Sequence, residues 1–573
     1  MKASDYIADF LTAHGVRFVF EVSGGMITHM LDSMYKQGKI RIVSVHHEQG
    51  AAFAADAVGR ITGVPGIALA TSGPGATNLL TGIASCFFDS SPAVFLTGQV
   101  NRDEQKGERR IRQLGFQEAD IVAMATPITK AAWRVRQIEE LPFLLEEAFA
   151  VATDGRPGPV LLDLPMDLQR AQVSVDASNS QRREGPLRIR PNSVDVEAAL
   201  LQLRRAARPL VLIGGGVRAA RCAAQVRRFV ERLGIPVVHS LMAMDVLPYA
   251  HSSRIGMIGT YGNRWANVAL GNCDALLVLG SRLDVRQTGS DTEAFRSGRR
   301  IIHVDCESGE INNRIKGCVP IVSTLPEFLE IAGEIELDLL PPGCSEWRKE
   351  IEEWKRQWPD TGELSETKGV NPNVFLHQLS KASRKAAAYV VDVGQHQMWA
   401  AQSLELESDQ RFLTSGGLGS MGFALPAAVG VAVATGDPVV VVAGDGGFQC
   451  NIQELQTVVR NKLPIKIVVL NNLCHGMVRQ FQESYFEGRY QSTLWGYDAP
   501  NFEEIASAYG IPARTASEPG DAAAAVQWLW EDVHKPALLQ VMVDTYANVY
   551  PKLAFGRPIT EMEPLAKPTP MEA

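Results

Sequence analysis

The sequence predicts an α/β protein made of three doubly wound parallel-sheet domains. Three observations carry that expectation. Short β-branched runs alternate with amphipathic helical stretches, the pattern of parallel strands covered by helices on both faces. Some of those runs pass straight into glycine-rich turns that open helices, as Ile67–Thr71 does before Ser72-Gly73-Pro74-Gly75. Two polar, charged stretches, about residues 171–195 and 340–370, interrupt the pattern and divide 573 residues into parts of ordinary domain size.

The expected domains are therefore 1–170, 190–340 and 371–550, followed by a proline-rich tail, 551–573, read as irregular. In the first, Ser4 is placed to cap a helix whose apolar face is Tyr6, Ile7, Phe10 and Leu11. Strands are expected at Phe18–Val22, Ile40–Val45, Ile67–Thr71, Ala93–Thr97 and Val160–Leu164. The second domain opens with Leu210–Ile213, which runs into Gly214-Gly215-Gly216, and continues with strands Ala275–Leu279 and Ile301–Val304. The 340–370 linker holds a helix with Trp347, Trp354 and Trp358. The third domain has strands Ala388–Val391, Val439–Val442 and Ile465–Leu470.

Composition excludes several classes. Hydrophobic residues make up 46% and charged residues 21%, with a net charge of −8, so neither a disordered chain nor a basic nucleic-acid binder is expected. The eight cysteines never fall at CxxC spacing, which argues against a zinc site and for free buried thiols. No run of apolar residues is long enough to span a membrane, and the N-terminal stretch lacks an apolar signal segment. A cytoplasmic location is the expectation.

The chemistry concentrates in the third domain. The valine run ends in Gly444-Asp445-Gly446-Gly447, and the next strand ends in Asn471-Asn472. A carboxylate and an amide at the C-terminal ends of successive parallel strands stand where such sheets bind ligands. With a backbone carbonyl they form a set of hard oxygen ligands suited to Mg²⁺ and phosphate, and the glycines admit a diphosphate. A lone GDG is usually a tight turn; GDG followed by NN one strand later is far more specific. Glu48 is the second feature. It follows a strand and opens a small-residue helix (Ala51, Ala52, Ala54, Ala55). A solvated helix face is the bland reading of any single Glu. The GDG and NN arrangement downstream resembles the diphosphate-binding motif of thiamine-diphosphate enzymes, and that resemblance favours instead the carboxylic partner such a cofactor requires at pyrimidine N1′.

Together with Asp392–Trp399 (DVGQHQMW), Ser415–Phe423 (SGGLGSMGF), Gly476–Glu483 (GMVRQFQE) and Phe116–Val122 (FQEADIV), these motifs resemble the acetolactate synthase family of thiamine-diphosphate enzymes, from Ser4 to about Tyr550. The resemblance implies pyrimidine-binding, central FAD-binding-like and diphosphate-binding domains, in that order. It also implies decarboxylation of pyruvate and transfer of the two-carbon unit to a second 2-oxo acid, with thiamine diphosphate, Mg²⁺ and a non-redox FAD. Metal ligands would be the side chains of Asp445 and Asn472 and the carbonyl of Cys474. Glu48 would act on the pyrimidine, with Gly25 and the carbonyl of Gly419 near its 4′-amino group and Met421 as the wedge that bends the cofactor. Gln395, His396, Gly444, Gly446, Gly447 and Met477 would hold the diphosphate end. Phe116 and Gln117 would line the substrate side, and Val478 and Phe481 the acceptor pocket. Gly214, Gly215, Gly216, Arg282 and Asp305 would meet FAD, and Arg282 would also grip the acceptor's carboxylate. Each cofactor would lie between one subunit's first domain and another's third, which makes a homodimer the minimum.

Several positions depart from the family. The usual YPGGA reads Val22-Ser23-Gly24-Gly25-Met26, a customary lysine is Met166, the acceptor-side tryptophan is Phe481, and the tail is VYPKLAFGRPITEMEP. Losing a lysine removes a point charge suited to an anion, and Trp to Phe enlarges a pocket and removes a donor. These changes keep open a second enzyme reading, acetyl transfer to a ketone such as a nucleotide-linked keto-sugar. A simple 2-oxo-acid decarboxylase is weaker, because only His46-His47 offers a histidine pair. A non-catalytic regulatory homologue is disfavoured by the presence of Glu48, Asp445 and Asn472.

Overall fold

The computed structural model describes residues 1–174, 187–336 and 344–569. Three six-stranded parallel sheets form its frame, and none closes into a barrel. The first contains β1 (Phe18–Val22), β2 (Arg41–Ser44), β3 (Gly66–Ala70), β4 (Ala93–Gln99), β5 (Ala131–Arg134) and β6 (Pro159–Pro165), in the order β2-β1-β3-β4-β6-β5. The second contains β7 (Pro209–Ile213), β8 (Val237–His239), β9 (Arg254–Met257), β10 (Ala275–Leu279), β11 (Arg300–Asp305) and β12 (Val319–Val322), in the order β12-β11-β10-β7-β8-β9. The third contains β13 (Ala388–Val391), β14 (Arg411–Leu413), β15 (Val439–Gly444), β16 (Ile465–Asn471), β17 (Ala513–Ala516) and β18 (Ala537–Met542), in the order β14-β13-β15-β16-β18-β17. In each sheet the order reverses beside the first central strand, which makes a crevice at the C-terminal strand ends. The central strands β3, β4, β6, β7, β10, β15 and β16 are buried along their whole length, as strands covered on both faces must be.

The chain forms two compact units: Met1–Leu187 with Ser415–Val439 and Cys450–Ile465, and Arg188–Thr414 with Val440–Gln449 and Lys466–Ala573. Units therefore do not follow sequence order. Two pieces that the sequence assigns to the third domain pack with the first sheet. One is the apolar helix Ala424–Thr435, buried over its first ten residues.

Two expectations need correction. Ser4 does not cap a helix. The helix Ala3–Ala13 begins before it, and the Ser4 hydroxyl is buried and accepts a hydrogen bond from Ser33 at 2.8 Å. The helix expected within the 340–370 linker is present as Cys344–Gln357, which holds Trp347 and Trp354 and ends before Trp358; Trp347 Nε1–H donates to Pro209 O at 3.2 Å and anchors it on the second sheet. The middle of the first linker, 175–186, lies outside the described residues. The tail is not irregular: β19 (Lys552–Leu553) pairs antiparallel with β20 (Met562–Glu563). A buried ion pair at 2.9 Å joins Lys552 to Glu563, and Leu553 and Ile559 enter an apolar core. Pro551 sits at a bend before β19 and Pro564 in the turn after β20. Among the described residues no helix is long and apolar enough to cross a membrane.

One half-buried charge cluster in the second unit is expected to make stability pH-dependent. The His377 ring lies 2.8 Å from Asp360 Oδ2 through Nε2 and 2.8 Å from Glu405 Oε1 through Nδ1, with Lys381 4.0 Å from Glu405. Burial opposes a charged ring, but Asp360 and then Glu405 outweigh it and hold the His377 pKa above the ordinary value. A raised histidine pKa adds stability below the unfolded value of about 6.5, and that stability is lost as pH rises through the folded pKa. His377→Gln should flatten the pH dependence of the melting temperature above pH 6.5 and cost on the order of 1–3 kcal/mol on the acid side. An unchanged slope in a melting series from pH 6 to 9 would remove the assignment.

Candidate active site

In the first unit Glu48 is the first residue of the helix Glu48–Thr62. The preceding His47 has extended backbone and caps the helix, its Nδ1 accepting from Gln49 N at 3.1 Å. The Glu48 carboxylate is 8% exposed and its Oε2 accepts from Asn78 Nδ2 at 2.9 Å. Asn78 ends the short helix Pro74–Asn78 after the glycine-rich turn. Gly25 opens a 3₁₀ turn, and a Cβ there would meet nothing within 4 Å, so its face is clear for a ligand. Gln117 adopts a left-handed backbone (φ 64°) against Gly73, while the neighbouring Phe116 is 80% exposed. Gly419 and Met421 stand in the loop before the helix Ala424–Thr435, with Met421 exposed.

The second unit holds the remaining set. Asp445 follows β15 and starts the helix Asp445–Cys450; Asn472 follows β16. Gln395 and His396 start the helix Gln395–Ser403 after β13. Hydrogen bonding fixes how the Asn472 amide points. The Ala547 carbonyl can only accept, so Gln395 must present Nε2 to it, at 2.9 Å. Gln395 Oε1 then faces Asn472, whose Nδ2 donates to it at 2.9 Å. The Asn472 oxygen is thereby left 3.2 Å from Asp445 Oδ1 and 2.9 Å from Cys474 O. Turning the amide over would satisfy those two oxygens but set two oxygens together at Gln395. The Cys474 N–H reaches Asn472 Oδ1 only at 3.4 Å, and the converging oxygens of Asp445, Asn472 and the Cys474 carbonyl are of the kind that ligate a hard cation. The surroundings agree: burial, offset by a hydrogen bond from Tyr497 at 3.0 Å, pushes the Asp445 carboxyl up to about 6, the state of an acid with no positive charge nearby.

The diphosphate side is equally incomplete. His396 is buried, its pKa is lowered to about 3 by burial, and its Nε2 has no partner. A Cβ on Gly444 would come within 2.7 Å of His396 Nδ1, so only glycine allows this ring beside the turn after β15. A neutral imidazole with a free nitrogen among glycine amides suits phosphate oxygens. Gly446 and Gly447 complete the turn, a Cβ on Gly447 falling 2.6 Å from Asp392 Oδ1. Among the described residues no group of three His, Cys, Asp or Glu side chains is placed to hold a metal. The Cys474 thiol, pushed up to about 12 by burial, donates to Thr545 O and takes no part.

Three domains of the thiamine pyrophosphate enzymes match: the N-terminal TPP-binding domain over 1–124, the central domain over 196–331 and the C-terminal TPP-binding domain over 392–541. The acetolactate synthase large subunit of Pyropia yezoensis is 36% identical, covering 98% of this chain and 95% of its own. The chain belongs to the acetolactate synthase family of thiamine pyrophosphate enzymes. Chloroplastic acetolactate synthase 2 of Nicotiana tabacum is 37% identical over 97% of this chain and 84% of its own. The isozyme 2 large subunit of Escherichia coli is 36% identical over 98% and 99%. The protein is accordingly a thiamine-pyrophosphate-dependent enzyme of the carboligase type.

The other residues that this synthase family implies fall as follows. Met477, Val478 and Phe481 lie on the helix Gly476–Tyr485; Met477 packs on the core, Val478 is exposed, and Phe481 meets Tyr485 and Phe486 in tilted contacts with ring centroids 4.9 and 5.8 Å apart. In the middle sheet, the Gly214-Gly215-Gly216 turn after β7 packs backbone to backbone on the turn after β10, Gly216 N donating to Gly280 O at 2.9 Å. That packing is itself a structural reason for the glycines. Arg282 lies 3.5 Å from Asp284, and Asp305 ends β11, its Oδ1 accepting from Glu307 N. Sequence reasoning missed Asn78, which holds Glu48, and Tyr497, which donates to Asp445. Neither belongs to a motif; only the position of Asn78, directly after a glycine-rich strand-to-helix turn, was a signal.

Proposed function

We propose that the protein decarboxylates pyruvate with thiamine diphosphate and Mg²⁺ and joins the two-carbon unit to a second 2-oxo acid, as an acetolactate synthase. The observation that carries this is the convergence of Asp445, Asn472 and the Cys474 carbonyl in a chain that also buries Glu48 at a helix start. When bound, thiamine diphosphate supplies the electron sink for breaking the bond to the departing carboxylate. The protein's part is binding and proton placement. Asp445, Asn472 and the Cys474 carbonyl hold Mg²⁺; His396, Gln395 and the glycine turn hold the diphosphate. Glu48, aimed by Asn78, would hold a proton at pyrimidine N1′, which would make the neighbouring amino group more acidic so that its imino form can serve as the base. Gly25, Gly419 and Met421 fix the pyrimidine, and Phe116, Gln117, Val478, Phe481 and Arg282 surround substrate and acceptor. One CO₂ leaves and one carbon–carbon bond forms for each two substrates.

The near full-length synthase relatives support an acceptor that is a 2-oxo acid over a ketone or keto-sugar. The same relatives support the family arrangement of one cofactor between two subunits, with a homodimer as the smallest active form. FAD, in a non-redox role, is assigned to the strand ends of the middle sheet. Buried ring nitrogens without partners, His239 Nε2 on β8 and His303 Nδ1 on β11, suit a polar ligand there. Flavin released from denatured protein would be seen by its absorbance.

Mass spectrometry of products from pyruvate alone tests the function. Abundant acetolactate is expected; CO₂ release that waits for an added ketone would overturn the reading. The pocket has its own test. Phe481→Ala removes an apolar wall that a longer acceptor uses more than pyruvate does. The preference for 2-oxobutyrate over pyruvate as acceptor should fall up to about tenfold, the worth of one methylene contact. A product ratio that does not move would place Phe481 outside the acceptor pocket.

A further inference from the structure

The two oxygens of the Asp445 carboxyl stand in different surroundings. Oδ1 lies 3.2 Å from the Asn472 oxygen, inside the set of cation ligands described above. Oδ2 accepts from the Tyr497 hydroxyl at 3.0 Å. Backbone amides at Gly446 and Cys474 also hydrogen-bond this carboxyl, and Tyr497 adds a side chain to them.

Tyr497 lies between the helices Gly476–Tyr485 and Phe502–Ala508, in neither of them, yet its hydroxyl is held from more than one side. Gln449 belongs to the helix that Asp445 begins. Its Nε2 donates to Asp445 O at 3.2 Å and to the Tyr497 hydroxyl oxygen at 3.5 Å. A hydroxyl oxygen that accepts from Gln449 turns its own hydrogen away, toward Asp445 Oδ2. The Tyr497 ring packs on the ring of His475, with centroids 4.2 Å apart and planes tilted by 53°. His475 follows Cys474 directly and precedes the helix Gly476–Tyr485. The stretch before Tyr497 is tied to that helix too. His475 N donates to Thr493 O at 2.9 Å, and the Thr493 hydroxyl donates to Gln482 Oε1 at 2.5 Å. One phenol is thus braced by the residue after one expected ligand, Cys474, and points at another, Asp445.

We propose that Tyr497 is a positioning residue that reserves Asp445 Oδ2, so that the carboxylate meets the cation through Oδ1 alone and the site favours Mg²⁺ over Ca²⁺. The proposal rests on the metal reading of Asp445, Asn472 and the Cys474 carbonyl given above. Its physical basis is the number of oxygens that one carboxylate offers. The last torsion of an aspartate is broad, so a carboxylate without a partner can turn to present one oxygen or both. Ca²⁺ accepts either mode, takes six to eight ligands at about 2.3–2.6 Å and tolerates irregular geometry, whereas Mg²⁺ demands a near-octahedral set at about 2.0–2.1 Å. A hydroxyl bonded to Oδ2 opposes the two-oxygen mode. The ring contact with His475 and the bond from Gln449 keep that hydroxyl from swinging away.

The test measures dissociation constants for Mg²⁺ and Ca²⁺ on the full-length protein with saturating thiamine diphosphate, by calorimetric titration with MgCl₂ or CaCl₂. Tyr497→Phe keeps the ring on His475 and removes only the hydroxyl. Mg²⁺ binding should weaken about 10–100-fold, the usual loss when a group behind a metal ligand is removed. Ca²⁺ binding should weaken much less, so the preference for Mg²⁺ over Ca²⁺ should fall about tenfold. Trp495→Ala controls for a loosened loop, because Trp495 is exposed and packs on Tyr490 with ring centroids 6.1 Å apart. It leaves the Tyr497 hydroxyl in place, and the ratio of the two affinities should stay at the parent's value. An unchanged ratio in Tyr497→Phe would overturn the proposal, whatever happens to the separate affinities. An equal fall of the ratio in Trp495→Ala would overturn it as well, since the loop and not the hydroxyl would then set the geometry. A parent protein that binds thiamine diphosphate equally well with Mg²⁺ and with EDTA would remove the metal reading itself, and the proposal with it.

Discussion

Glu48→Gln should lower turnover by roughly 10²–10⁴-fold, the usual worth of a positioned acid–base group, with the fold intact. Glutamine has the same shape and keeps an oxygen for the Asn78 amide, which now donates to Glu48 Oε2 at 2.9 Å. The helix start is unaffected, because its cap is His47 and its preceding turn is held by Glu454. What is lost is the exchangeable carboxyl proton. The variant should therefore bind thiamine diphosphate and Mg²⁺ nearly as the parent does, melt within a degree or two of it, and fail in C2 proton exchange as well as in product formation. Full activity would sink the mechanism. Lost activity with lost cofactor binding would mean that Glu48 holds the site together rather than serving the proton.

How far the sequence could be read depends on what each residue touches. Val439–Val442 and Ile465–Leu470 were readable because strands buried on both faces must be apolar throughout, and they form β15 and β16 within two residues of the expected ends. Short or half-exposed strands were harder. Ala131–Arg134, at an edge of the first sheet, is half-buried at every position and carries Arg134 to pair with Asp163, and Val237–His239, inside the second sheet, is only three residues long, too short for a period to show. The same holds in the site. Asp445 and Asn472 announce themselves because hard oxygens at the ends of successive strands make one ligand set. Asn78 and Tyr497 act through partners 30 and 52 residues away. Such contacts exist only once the chain has folded. The tail was misjudged for a related reason. Prolines mark bends in a sequence, but the pairing of Lys552 with Glu563 is a tertiary event.

Asp445→Ala should abolish Mg²⁺-dependent binding of thiamine diphosphate, weakening it by at least about a hundredfold, since even changes behind a metal ligand cost 10–100-fold. Asp445→Asn separates charge from shape. It keeps an oxygen toward Asn472 and the Cys474 carbonyl and an acceptor for Tyr497, yet removes the one full negative charge in the set. Apoprotein stability should move the opposite way. Burial holds the Asp445 carboxyl up at about 6, so the folded apoprotein resists ionising it. A carboxyl with a raised folded pKa is neutral in both states at low pH. As pH climbs from about 4 to 6 the unfolded chain ionises first, and above that window the folded state carries a penalty of roughly 3 kcal/mol. Asp445→Asn removes that penalty at pH 7, so the apo variant should melt at or above the parent's temperature, while Mg²⁺ and cofactor no longer raise it. The pairing of gained apo stability with lost ligand stabilisation is the signature of a residue kept for a cation. A melting temperature that falls in the apo variant, with Mg²⁺-dependent cofactor affinity unchanged, would show that Asp445 serves the fold and would remove it from the metal site.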